Sequence, residues 1–167
     1  KQVQTYDDRG NRTLVCFYDE KGEKAVILGI SAMRFAYDKN GLEISRTYLD
    51  CDGNPTVRTD IGAVEELKIW DDNGNLAEMR YCDADGNLVN SNDNYARVEY
   101  AYDERGLKIK EQYYDKNGNE ANYGGYGYSI ATWAYDESGT ECLRAYWNAA
   151  GEPVCIRNHP DEHGYHK

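Results

Sequence analysis

The stretch Tyr100-Ala101-Tyr102-Asp103-Glu104-Arg105-Gly106, continuing through Leu107-Lys108-Ile109-Lys110-Glu111-Gln112 to Tyr113-Tyr114-Asp115-Lys116-Asn117-Gly118, decides the fold class. Two Asp-x-x-Gly elements bracket one strand-length run. Asp at the first position of a type I turn caps nearby backbone N–H groups with its carboxylate. Gly at the fourth position takes the left-handed conformation that forms a G1 bulge. The combination closes a β-hairpin, and Tyr before each Asp suits a pleated, half-buried surface.

Working outward, the same start recurs at Tyr6, Tyr37, Trp70, Tyr102 and Tyr135, at spacings of 31, 33, 32 and 33 residues. Gly10, Gly41, Gly74, Gly106 and Gly139 follow each Asp by three residues, and Gly22, Gly53, Gly86, Gly118 and Gly151 lie twelve further on. A third landmark, Gly29, Gly62, Asn94 or Gly127, sits eight residues before the next aromatic, and Gly164 has the same setting. Self-similarity at this period signals stacked units that bury their faces against one another. The expected fold is all-β, an elongated tandem-repeat array of three-stranded antiparallel meanders, either a β-solenoid or a continuous twisted sheet. The units run approximately 6–36, 37–69, 70–101, 102–134 and 135–167. Tyr165-His166-Lys167 matches Tyr95-Ala96-Arg97, so the expectation is a whole number of units excised from a longer array.

Hairpin register follows from the turns. With Asp opposite the residue after Gly, counting outward puts Ala36 opposite Ile44, Ile69 opposite Ala77, Ala101 opposite Ile109 and Ala134 opposite Cys142. On the same face fall Tyr48, Tyr81, Tyr113 and Tyr146, expected to be buried and to face Thr56, Val89, Ala121 and Val154 across the second turn. The opposite face is expected to be half-exposed, with Lys68 opposite Glu78, Glu66 opposite Arg80, Tyr102 opposite Lys108 and Tyr37 opposite Glu43. Phe35, Tyr37, Trp70, Tyr100, Tyr102, Trp133 and Tyr135 belong to it, their rings flanked by long polar stems.

Composition is consistent with this reading. Sixteen Tyr and three Trp permit a Tyr-dominated β core. A net charge of −11 repels phosphate backbones and anionic lipid, so nucleic acid is not an expected partner. The longest apolar stretch, Ala25 to Ile30, is far short of a membrane span. Cys16, Cys51, Cys82, Cys142 and Cys155 are odd in number and fall at five different phases, which argues against a disulfide framework.

The motifs carry a family resemblance. Tyr-Asp-x-x-Gly resembles the YD repeats of RHS and teneurin-type surface proteins and the Tyr-rich hairpins of MORN-like variant repeats. Tyr113-Tyr114-Asp115-Lys116-Asn117-Gly118-Asn119 is similar, more weakly, to choline-binding and glucan-binding cell-wall repeats. The resemblance implies a cell-surface or secreted repeat protein, or, on the MORN-like side, a cytoplasmic interaction scaffold.

Chemistry finds little purchase. Asp50-Cys51-Asp52-Gly53-Asn54 and Asp83-Ala84-Asp85-Gly86-Asn87 lack the closing Glu of a calcium loop, and turn chemistry accounts for their Asp and Gly. His159, His163 and His166 cluster without a recurring Cys or carboxylate partner, so no metal or other cofactor is expected. Gly124-Gly125-Tyr126-Gly127 lacks the Lys-Ser/Thr of a phosphate loop. Ser and His do not share a phase, and the abundant carboxylates select no catalytic pair. The expected function is therefore non-catalytic: an aromatic, acidic surface that binds glycan, cell-wall polymer or protein, or a structural spacer, with self-association along the array a further possibility. The candidate ligand-binding residues are Phe35, Tyr37, Trp70, Tyr100, Tyr102, Trp133 and Tyr135, with loop residues Tyr123, Tyr126 and Tyr128 second.

Overall fold

Ten turns close as the Asp-x-x-Gly spacing requires, and they set the whole topology. In the first, the Asp7 carboxylate accepts from Arg9 N (3.0 Å) and Asn11 N (2.8 Å), while Gly10 N donates to Asp7 O at 3.0 Å. Gly10 sits at φ +83°, which glycine adopts without a Cβ penalty. The same pattern repeats through Asp136 and, with Asn in place of Asp, at Asn148.

The computed structural model describes residues 1–156. Its strands are β1 (Gln2–Tyr6), β2 (Arg12–Phe17), β3 (Ala32–Tyr37), β4 (Glu43–Leu49), β5 (Glu65–Trp70), β6 (Leu76–Cys82), β7 (Arg97–Tyr102), β8 (Lys108–Tyr114), β9 (Ile130–Tyr135) and β10 (Glu141–Trp147). They form one open antiparallel sheet in sequence order. One short 3₁₀ turn, Gly124–Tyr126, interrupts the β structure. Residues 157–167, which include the three His and Gly164, lie outside the described residues.

Each 33-residue or similar stretch contributes two strands rather than the three expected. After β4 the chain turns at Asp50–Gly53, makes a single bridge between Leu49 and Pro55, and gives one further bond from Thr56 N to Tyr48 O at 2.9 Å. It then turns again at Arg58–Ala63 and returns as β5. A strand has two edges, and those of β4 are taken by β3 and β5, so the excursion cannot join the sheet. The residue where each excursion rejoins is Ser31, Val64, Ala96 or Ser129, all buried. Each donates its N–H to the second strand of the hairpin it leads into, as Val64 N does to Cys82 O at 2.9 Å, while its carbonyl accepts from the preceding hairpin, as Val64 O does from Tyr48 N at 2.9 Å.

The register differs from the expected one by a bulge in every hairpin. Tyr37 does face Glu43, but Ala36 then faces Ser45, leaving Ile44 as the extra residue. Ala77, Ile109 and Cys142 are the equivalents: Ile69 faces Glu78, Ala101 faces Lys110 and Ala134 faces Leu143. An inserted residue shifts every position beyond it by one relative to its partner strand. The second-strand tyrosines Tyr48, Tyr81, Tyr113 and Tyr146 are buried as expected. The first strands are swapped. Ala36 and Ile69 point to solvent, while Phe35 is buried with Val15, Phe17, Ile30 and Tyr48. Lys68 faces Met79 instead of Glu78, and Glu66 faces Tyr81 instead of Arg80. Lys68, Glu78 and Lys110 are half-buried instead of exposed.

One face therefore holds nearly all the aromatics. The returning excursions cover its far half, with Tyr95, Tyr128, Val89 and Ala121 packing on Tyr81, Tyr113 and Tyr146. Successive excursions are themselves bonded: Thr59 N to Leu28 O (2.9 Å), Asn92 N to Ile61 O (2.8 Å) and Gly124 N to Asp93 O (2.7 Å).

Candidate functional site

The aromatics before the turn Asp residues act between hairpins. Tyr37 OH donates to Arg12 O (2.8 Å), Trp70 Nε1 to Glu43 O (2.8 Å), Tyr102 OH to Leu76 O (3.0 Å) and Tyr135 OH to Lys108 O (2.8 Å). All four acceptors stand two residues after the first turn Gly of the preceding hairpin, so one bond is made four times. Junctions between hairpins need this support, because each is only three residue pairs long, against six within most hairpins. A bond of this kind contributes about 1 kcal/mol net. These four candidates spend their polar atoms on the fold.

Phe35 is 4% exposed, and its ring lies between two guanidinium groups, Arg12 at 4.6 Å and Arg46 at 5.4 Å from its centre. No ring face is left for a ligand there. Tyr100 is half-buried, and burial pushes its hydroxyl pKa above the usual range.

The remaining candidates converge. Trp133, Tyr123 and Tyr128 line one cavity of about 360 Å³ together with Lys108, Glu111, Tyr113, Arg144 and Tyr146. Lys108 Nζ stands 4.3 Å from the Trp133 ring centre, and Arg144 lies at 5.9 Å. Glu111 is 7% exposed and accepts from Lys108 Nζ (2.8 Å), Tyr113 OH (2.9 Å) and Tyr128 OH (3.2 Å). A buried carboxylate costs little when donors satisfy it in this way. Burial, and then the Glu111 charge, drive the Tyr113 and Tyr128 hydroxyls far above their usual pKa, so both stay protonated donors. Tyr113 and Tyr123 stack at 4.9 Å with 8° between planes, and Tyr126 adjoins Tyr123 at 5.3 Å without lining the cavity.

Of the charged members, Lys108 was expected on this face, opposite Tyr102 as observed, whereas Glu111 and Arg144 were not. They sit on the bulges. Glu43 pairs with Arg46 (3.1 Å), Lys108 with Glu111 (2.8 Å) and Glu141 with Arg144 (2.9 Å), each three residues apart. On a regular strand such residues point to opposite faces. The extra residue between them turns both onto the aromatic face, where Lys68 also reaches Glu43 at 2.8 Å and Arg46 approaches Glu66 at 3.7 Å. In the hairpin of β5 and β6 the same two positions are Leu76 and Met79. The spacing of opposite charges was the available signal for these residues.

All five Cys are free thiols, with Cys82 buried and its pKa raised by that burial. Among the described residues no helix is long and apolar enough to cross a membrane. No protein-family model matches the chain, and no curated protein is found to be similar to it.

Proposed function

We propose that the chain is a tandem-repeat binding module, five hairpin units presenting an aromatic face, without turnover of its own. The observation that carries this reading is the groove at Trp133. An aromatic ring, a lysine, an arginine and a fixed carboxylate meet there beneath a wall of tyrosines, in a cavity of about 360 Å³. That volume is at the low end for small-ligand sites. Sugar rings stack on indole faces, and their paired hydroxyls bond to charged side chains, so a glycan or cell-wall polymer is the ligand class. Such a ligand displaces the Lys108 ammonium from the ring, which costs one exposed-to-half-buried cation–π contact, roughly 0.5–2 kcal/mol. A surface or extracellular location goes with this reading.

The test is a glycan and cell-wall polymer array probed with the wild-type chain and with Trp133→Ala and Lys108→Gln. Binding that Trp133→Ala abolishes, with the far-UV circular dichroism spectrum unchanged, supports the groove. A glycan bound equally by the wild type and by Trp133→Ala would refute it.

A second reading, a structural spacer, is favoured by the four inter-hairpin bonds from Tyr37, Trp70, Tyr102 and Tyr135. Under that reading no polymer binds and the recurrent aromatics serve packing alone.

A further inference from the structure

We propose that the gap between two successive hairpin turns, Asp38–Gly41 and Asp71–Gly74, is a binding site for a guanidinium group, the group that this chain itself places between neighbouring turns at two other junctions. The inference is independent of the Trp133 groove.

The turns Asp7–Gly10, Asp38–Gly41, Asp71–Gly74, Asp103–Gly106 and Asp136–Gly139 follow one another along one end of the sheet. Where the third residue of a turn is Arg, it reaches the carbonyls of the next turn. Arg9 donates from Nη1 to Lys39 O (2.8 Å) and from Nη2 to Asp38 O (3.2 Å), a two-pronged grip on successive carbonyls. Arg105 donates from Nη1 to Asp136 O at 2.8 Å. Asp38 O also accepts from Gly41 N at 3.2 Å, so the guanidinium takes its second lone pair.

Asp71 O and Asp72 O are the counterparts in the third of these turns. Asp71 O accepts from Gly74 N at 3.0 Å, which leaves it the same second lone pair. The third residue of the preceding turn is here Asn40, whose Nδ2 turns back to Asp38 Oδ2 at 3.3 Å. A cavity of about 470 Å³ lies between the two turns, with Asn40, Trp70, Asp71 and Asp72 on its lining. The spacing of the turns agrees. A Cβ on Gly41, Gly106 or Gly139 would meet a side chain of the preceding hairpin, Asn11, Asn75 or Leu107, at 3.6 or 3.7 Å, whereas a Cβ on Gly74 would meet nothing within 4 Å. At the next junction the third residue is again Asn, Asn73, but there Asn75 closes on Gly106, and Arg105 of the receiving turn bonds its own Asp103 at 3.0 Å.

The chemistry selects a planar cation. The Asp38 and Asp71 carboxylates are spent on their own turns, accepting from Asn40 N and Leu42 N (both 2.8 Å) and from Asn73 N (2.9 Å) and Asn75 N (2.8 Å). They supply a negative field, and the carbonyls supply the bonds. Asp72 adds a third carboxylate against the single positive charge of Lys39. The Trp70 indole is held in place by its Nε1 bond to Glu43 O, and guanidinium groups stack on such rings. Two carbonyls on successive residues suit the fork of a guanidinium, as at Arg9, better than the point charge of an ammonium.

The experiment is a proton–nitrogen correlation NMR titration with methylguanidinium, with the peptide acetyl-Gly-Arg-Gly-amide, and with the same peptide carrying lysine or citrulline in place of arginine. The arginine peptide is expected to bind with Kd on the order of 1 mM. It should move the amide signals of Asp72 and Asn73, which share peptide planes with the two accepting carbonyls, and the Trp70 indole signal. The lysine peptide has the same charge and is expected to bind at least about fivefold more weakly, and the citrulline peptide to cause no shift. A peptide that binds more tightly than methylguanidinium identifies the ligand as an arginine side chain of a partner protein, and the reverse order identifies a free guanidine. Asn40→Arg gives this junction the chain's own guanidinium. It is expected to raise Tm by about 1–3 °C and to weaken peptide binding at least about tenfold. Asn40→Gln lengthens the same exposed side chain without charge and is expected to keep the affinity within about twofold. Circular dichroism checks that both variants are folded. Equal binding of the lysine and arginine peptides would mean attraction to an acidic surface alone and overturns the proposal. Shifts confined to other residues, no binding up to about 20 mM, or binding that survives Asn40→Arg overturn it as well.

Discussion

Gly62 and Gly86 have the same backbone, φ +83°, and different surroundings, so replacing each by Ala separates strain from contact. At Gly86 an added Cβ meets nothing within 4 Å. Its cost is the left-handed conformation alone, roughly 1 kcal/mol. At Gly62 the Cβ would stand 2.6 Å from Asn92 Oδ1 and 3.3 Å from Asn92 N. Asn92 cannot simply swing away, because its Nδ2 donates to Thr59 O (2.8 Å) and its N to Ile61 O (2.8 Å), the bonds that join two successive excursions. Losing one of them adds about 1 kcal/mol, giving a total near 2 kcal/mol for Gly62→Ala. For a chain of this length each kcal/mol moves Tm by about 2–4 °C. Urea titration and thermal melts by circular dichroism should therefore place Gly86→Ala about 2–4 °C below wild type and Gly62→Ala about 4–8 °C below it. Adding Asn92→Ala to Gly62→Ala should cost less than the two separately, since the clash and the broken bond are one event. Equal losses at the two glycines, or strict additivity in the double variant, would refute the reasoning.

Removing the hydroxyl in Tyr102→Phe leaves the Leu76 carbonyl without its donor and should cost about 1 kcal/mol in urea unfolding, whereas Tyr6→Phe in dilute solution should cost nearly nothing. Stability should fall in acid. The backbone N–H groups of Asn54 and Asn87 hold the Asp50 and Asp83 carboxyls below their usual 3.8, and the Asn75 side-chain amide does the same for Asp71. A depressed folded pKa contributes stability above the unfolded value and loses it as pH drops through the folded one, so the loss begins below about pH 4. The alkaline side has the opposite sign. Burial raises the hydroxyls of Tyr48, Tyr95, Tyr113 and Tyr128 well above 10.0, so the unfolded chain ionises first and stability declines as pH rises past 10. Ultraviolet titration should show these tyrosines ionising together with unfolding, and a smooth titration of all Tyr near pH 10 in the folded protein would contradict the packing.

What the sequence discloses and what it hides divide along a physical line. Turns are local. Asp and Gly three apart carry their own mechanism, so the hairpins and the burial of Tyr48, Tyr81, Tyr113 and Tyr146 were legible from spacing alone. The bulge carries no such residue. Ile44, Ala77, Ile109 and Cys142 share no Gly and no left-handed backbone, and nothing in their identity marks them as extra. Their effect is long-range, because one unpaired residue exchanges the faces of the whole first strand. It sends Phe35 into the core and brings Glu111 and Arg144 to the same side as Lys108 and Trp133. The surviving trace is electrostatic. Glu43 and Arg46, Lys108 and Glu111, and Glu141 and Arg144 are opposite charges at a spacing that a regular strand would set on opposite faces. Three such pairs at one phase, in a chain where the period-2 rule makes them useless, are evidence that the period is broken between them. The same reasoning explains why the candidate site was only partly visible. Its aromatics, Trp133, Tyr123 and Tyr128, stand out by type. Glu111 and Arg144 become neighbours of those rings only through an insertion that the pattern of charges, and not the pattern of hydrophobicity, records.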